Sequence, residues 1–225
     1  MIKRNIISKK IIIFIPILFI LLTLIRINIH YNDNQESITL FITKHIQSID
    51  SLFMVHRNYY QNLYLNKIIP LNAQTLKGLP AYSASIISEK FSAANQFHTT
   101  IQTVSDRARN PKNSANTYEL EAIEYFKHNP SKKSYLKEED NFFQYAKPLF
   151  IEKKCLKCHG KKEDAPKFIS QKYDTAYDYK VGDVRGILSI TMPIAPIHEL
   201  FQAQFLKSIW YDLLILSITF SIAYY

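Results

Sequence analysis

The chain has 225 residues, 47% of them hydrophobic and 13% aromatic, with 4 glycines. That is enough for one ordinary domain with additional elements, and it argues against disorder. A formal charge of +9 would suit a nucleic-acid binder. However, Lys3, Arg4, Lys9 and Lys10 precede the first hydrophobic run and the remaining cations are interleaved with acids, so no basic stripe for nucleic acid exists.

Residues 11 to 25 read IIIFIPILFILLTLI and carry no charge. With Ile27 and Ile29 the run reaches about 19 residues, enough to cross ~30 Å of hydrocarbon. Arg26 lies near its far end, where a long side chain can snorkel to the interface, and Pro16 is tolerated in a spanning helix. The basic residues ahead of the run put segment 1–10 in the cytoplasm and make 11–29 a transmembrane helix. A cleaved signal peptide shares this order of charge and hydrophobicity, but LIRINIHYN lacks the small residues of a cleavage site.

Ile38, Ile42, Ile49, Leu52, Tyr59 and Leu63 alternate in steps that mark one face of a long helix, ended near Pro70. This stripe would either pack on the domain's own sheet or form the seam of a homodimer. A second helix is expected over AYSASIISEKFSAAN. A third is expected from Asn116, capped with Glu119, to the HNP at 128–130. Strands are expected in FHTTIQTVS, FFQYAKPLFIEKKC and GDVRGILSITMPI, the last with Val184, Gly186, Leu188, Ile190 and Met192 on one face. PSKKSYLKEED (130–140) reads as a charged surface connection. Helices first, then strands mixed with a helix, imply an α+β fold.

At the far end, PIHELFQAQFLKSIW runs without a break into YDLLILSITFSIAYY. Trp210 and Tyr211 suit the headgroup level. Only about 13 apolar residues follow, which is short of a full span. The segment 207–225 is therefore either a buried core helix or the start of a second transmembrane helix in a truncated sequence. The second alternative leaves 30–206 outside the cytoplasm, in the periplasm of a bacterial inner-membrane protein.

The chain's two cysteines stand together in KKCLKCHGKKEDAP, as Cys155, Cys158 and then His159. C-x-x-C-H is the covalent attachment pattern of c-type haem: two thiols add to the porphyrin vinyl groups and the imidazole ligates iron. Attachment takes place outside the cytoplasm, in agreement with the topology. A redox dithiol lacks its βαβ context, a structural zinc site lacks a second ligand pair nearby, and a plain disulfide leaves His159 unexplained. The surrounding lysines could pair with haem propionates or form a solvated loop.

The stretch from Lys153 through KFISQKYDTAYDYKVGDVRGILSITMP, together with LPAYSASIISEKFS and VSDRARNPKNSANTYELEAIEYF, resembles the Tll0287-like haem domain family over about residues 35–195. The resemblance implies a PAS-like fold with one covalently attached haem c. It also implies use as an extracytoplasmic sensor ahead of a cytoplasmic signalling output. It makes Cys155 and Cys158 the attachment residues and His159 the proximal iron ligand. The RARNP-N block is a hallmark of that family, and Arg107 and Arg109 in it are candidates for contact with the haem edge.

For the distal iron position the cysteines are already used. His45 and His56 lie about 16 Å apart on their helix and cannot serve one iron together. His56 is the better candidate, His98 its rival, with Met54, Met192 and Tyr82 as outsiders.

The function expected is a membrane-anchored haem sensor of redox state or a diatomic gas. The alternatives are a membrane-tethered monohaem cytochrome and a haem-free ligand-binding domain. No phosphate loop, nucleophile elbow or paired-carboxylate motif points to an enzyme.

Overall fold

A computed structural model describes residues 2–224, with side chains described for 14–29, 36–219 and 221. The chain divides into two compact units, Met1–Thr43 with Ala195–Tyr225, and Lys44–Ile194. One continuous helix, α1 (Ile2–Leu65), runs through both stretches of the N-terminal sequence. Its length of 64 residues corresponds to about 96 Å of helical rise.

In the first unit α1 is accompanied by α6 (Ala195–Tyr224). Arg26 donates to both carboxylate oxygens of Asp212 at 2.5 and 2.6 Å, and Phe41 meets Phe201 edge-on. Phe14, Leu18, Leu22 and Leu24 on α1 are exposed, as are Leu206, Trp210 and Leu214 on α6. Among the described residues no helix is long and apolar enough to cross a membrane. The expected basic segment 1–10, residues 11–13 of the expected first span, and residues 220 and 222–225 of the second lie outside the described side chains.

The second unit is an α+β domain around a four-stranded antiparallel sheet of order β1-β4-β3-β2. The strands are β1 (Thr100–Val104), β2 (Tyr135–Glu139), β3 (Phe142–Phe150) and β4 (Val184–Pro193). Both faces are covered. Tyr145 and Lys147 of β3 reach Asp50 on α1, with the Lys147 ammonium 2.7 Å from its carboxylate. Ala146, Ile187 and Val104 pack instead against Tyr118, Ala122, Ile123 and Phe126 of α3 (Thr117–His128). For this reason β4 is buried along almost its whole length rather than on the single face expected from its alternation.

The capped helix begins where its sequence predicts. Asn116 accepts from the Glu119 amide at 3.0 Å and Glu119 accepts from the Asn116 amide at 2.9 Å. Glu119 is almost fully buried and also accepts from Gln102 on β1. α2 (Pro80–Ala94) likewise starts with proline in its first turn.

Two expectations need correction. Segment 130–140 is not merely a surface connection, because Tyr135–Glu139 pairs with β3 as an edge strand. The two-residue turn Asp140–Asn141, both at positive φ (52° and 63°), closes a hairpin of the primed type. Lys137, Glu138 and Glu139 keep that edge charged, which discourages pairing with other chains. The stripe on α1 also drifts. Ile38, Ile42, Ile46, Asp50 and Phe53 are buried, whereas Leu52 and Tyr59 are 74% and 61% exposed.

Candidate cofactor site

After β3 the chain enters a short helical run. Lys153–Cys155 forms a 3-10 turn and α4 (Leu156–His159) one α-helical turn. Residues three apart on a helix lie on one side, so Cys155 and Cys158 present their thiols together. Both are free thiols. Gly160 ends the turn with its amide on the Leu156 carbonyl, which a Cβ at that position would meet at 2.7 Å.

Cys155, Cys158 and His159 line a solvent-connected cavity. The cavity lies within the second unit. Arg57, Gln61 and Tyr64 of α1 form one wall, and Leu79, Pro80 and Ala81 at the start of α2 form an apolar one. Tyr82, Arg109, Tyr173 and Arg185 are among its other polar lining residues.

The imidazole of His159 is oriented by the backbone. Its Nδ1 donates to the Ala176 carbonyl at 2.9 Å, which leaves Nε2 as the free lone pair. Burial, and then the guanidinium groups of Arg185, Arg109 and Arg57, push its pKa down from 6.5 to about 3. It is therefore neutral at physiological pH, the form that ligates metals. Burial pushes the Cys158 thiol up, against the pull of Arg109 and Lys157.

The RARNP block supports the site from behind. Arg109 donates to the carbonyls of Cys158 (2.7 Å), Thr175 (3.0 Å) and Ala176 (3.2 Å) and lies over the Tyr177 ring. Arg107 donates to the Tyr177 carbonyl at 2.6 Å and stacks on Tyr179. Of the two, Arg109 lines the cavity and Arg107 does not. Ala176 takes a left-handed conformation (φ 60°), which aims its carbonyl at both donors.

Arg185 enters the cavity through an irregularity in the sheet. Leu149 pairs with Gly186 and Phe150 with Val184, so Arg185 is the additional residue of a β-bulge. Gly186 makes the bulge possible. Its φ is 158°, and a Cβ there would approach the Val104 carbonyl to 2.2 Å.

Arg57 and Arg185 escaped the sequence reading. Arg57 continues the buried stripe of Ile46, Asp50 and Phe53, and a cation in that register was the available signal. Burial and then Arg185 push the Arg57 pKa down to about 10, and one of its terminal nitrogens is buried without a hydrogen-bond partner. Among the described residues that line the cavity none is Asp or Glu. A half-buried guanidinium with one buried, unpartnered nitrogen, in a pocket lined by no acid, suits an anion from outside the chain. A haem, with two propionates, an apolar macrocycle and vinyl groups for two thiols, fits this donor set. Cys155, Cys158 and His159 would hold it, and Arg185 would meet a carboxylate.

The expected distal ligands stand elsewhere. His56 stacks on Tyr60 at 4.7 Å, and His98 is an exposed residue at positive φ ahead of β1. Neither lines the cavity, nor do Met54 and Met192; Tyr82 does. Among the described residues no cluster of three or more His, Cys, Asp or Glu is arranged as a metal site.

An α+β domain with a cysteine-histidine helix at the mouth of a cationic cavity defines a class, and the sequence matches it. Residues 28–193 match the Tll0287-like family, to which this chain belongs. Among solved structures, the crystal structure of the cyanobacterial heme-protein Tll0287 has the same fold. The TM-score is 0.54 at 23% identity, over 67% of this chain and 95% of that one. No curated protein matches.

Proposed function

We propose that residues 30–206 form a periplasmic domain carrying one haem c, bound through thioethers at Cys155 and Cys158 and ligated by His159. The reading is that of a membrane-anchored input domain that responds to redox state or a small iron ligand and passes the signal to a cytoplasmic output. The observation that carries it is the cavity in which Cys155, Cys158 and a neutral, backbone-oriented His159 stand with the cations Arg57 and Arg185 and no acid. A solved family member described as a heme-protein adds support.

A haem held there would supply a redox-active iron. Cys155, Cys158 and His159 would hold and orient it, and Arg185 would offset a carboxylate. Anchoring is supported by the exposed apolar side chains of α1 and α6 and by the Arg26–Asp212 pair, which places like depths of two helices side by side. Signalling is supported by the continuity of α1, which carries Arg57 and Gln61 on the same helix as the apolar N-terminal run. Leu52, Val55 and Tyr59 form an exposed stripe on it, and a second copy of this chain is the partner that would cover it.

The test is expression with a cytochrome c maturation system. The purified chain gains the mass of one haem, and its Soret absorbance survives acid-acetone extraction. A Cys155→Ala, Cys158→Ala double variant loses both. An unmodified mass in the parent chain overturns the reading.

A further inference from the structure

Resting on the haem reading, a second question is what occupies the iron's other axial position. The cavity-lining imidazole is His159, and the lining sulfurs are Cys155 and Cys158. All three are committed by that reading, and no lining residue is methionine. Tyr82 and Tyr173 line the cavity as phenols, which bind iron well only after losing the proton, and Tyr64 and Lys154 are engaged. The Tyr64 hydroxyl donates to the Thr75 carbonyl, and Lys154 pairs with Glu152 at 3.1 Å.

On the α1 wall Arg57 and Gln61 are one turn apart, on the face next to the attachment helix. Gln61 Nε2 approaches Cys155 Sγ at 3.9 Å, a weak contact to a sulfur that becomes a still poorer acceptor as a thioether. Its amide and the orphan Arg57 nitrogen are thus two donors without good acceptors in one cavity. Charge points the same way. Arg109 is held by backbone carbonyls, Arg185 would face a propionate, and a ferric iron would add a further positive charge with no lining carboxylate to balance it.

We propose that in this chain the sixth coordination position is left open by the protein, and that Arg57 and Gln61 make it a binding site for small inorganic monoanions. Anion binding is strongest in the ferric state and is carried by charge-assisted hydrogen bonds from α1. An anion arriving or leaving there is felt directly by the long helix.

The experiment uses the matured full chain in detergent, first weighed for covalent haem. Sodium azide added to the ferric protein produces a saturable Soret shift. Arg57→Leu weakens azide binding about tenfold, the loss of roughly one charge-assisted hydrogen bond, and changes carbon monoxide binding to the ferrous protein less than about twofold. Gln61→His supplies an imidazole from the same position and converts the protein to an azide-insensitive, six-coordinate low-spin form. A parent protein that is already low-spin and azide-insensitive overturns the proposal, as does a Gln61→His spectrum identical to the parent's. Equal losses of azide and carbon monoxide binding in Arg57→Leu would remove the role given to its charge. A chain of unmodified mass fails one step earlier, at the haem reading, and takes this inference with it.

Discussion

His159 and Arg109 donate to the same oxygen, the carbonyl of Ala176, at 2.9 and 3.2 Å. Two donors on one acceptor compete, so the guanidinium limits how far that carbonyl can draw on the imidazole N–H. On the proposed haem reading, Arg109 would be a positioning residue whose effect reaches the iron through His159. Arg109→Leu strengthens the remaining bond, makes the imidazole more electron-rich and removes a nearby positive charge. All three changes favour the ferric state. The reduction potential should fall by roughly 30–60 mV, the equivalent of about 1 kcal/mol for one electron, in a spectroelectrochemical titration. An unchanged or raised potential would show that Arg109 only supports the loop.

Arg185 predicts opposite effects in two forms of the protein. Without haem its burial is uncompensated, so Arg185→Leu should stabilise the haem-free chain by about 1–3 kcal/mol. In the matured protein the same substitution removes the partner of a propionate and should be destabilising. Paired denaturant melts of the two forms check the reversal of sign.

Gly186 cannot be replaced without moving the bulge. An alanine would need a backbone conformation costly for L-residues and would drive its Cβ into the Val104 carbonyl. Gly186→Ala should cost at least about 1–3 kcal/mol and broaden the haem spectrum as Arg185 is displaced. A melt within error of the parent's would contradict this.

His159 gives the haem-free chain a definite pH dependence. Its pKa in the folded chain, about 3, lies below its ordinary 6.5. The unfolded chain therefore binds more protons between these values, and stability falls as pH drops from about 6.5 toward 3. The slope is on the order of 1 kcal/mol per pH unit, with a plateau above. His159→Gln should flatten that slope in urea melts taken at several pH values.

His56→Ala and His98→Ala should leave the ferric and ferrous spectra of the matured protein unchanged, since neither side chain lines the cavity. A loss of low-spin bands in either variant would place that histidine on the iron after all.

Local signals in the sequence carried much of this architecture. The Asn116–Glu119 box and the apolar run of GDVRGILSITMPI each depend on neighbours in sequence, and each gives its element near the expected place. The edge strand β2 was hidden because its exposed positions are charged, and the Asp140–Asn141 turn was its only strong marker. The face of α1 was misjudged for a related reason. Its inward positions include the buried Asp50 and the half-buried Arg57, which a search for apolar spacing skips while counting the exposed Leu52 and Tyr59. The C-x-x-C-H motif located the chemistry. The cationic wall from α1 and the bulge of β4 comes from residues 128 positions apart in sequence and is visible only after folding.

Cys155 and Cys158 are half-buried thiols on a cavity that stays connected to solvent. The folded domain therefore keeps a doorway to its own sulfurs. On the proposed reading, a porphyrin would be delivered to a finished scaffold rather than to a growing polypeptide, and ligation would follow collapse in time.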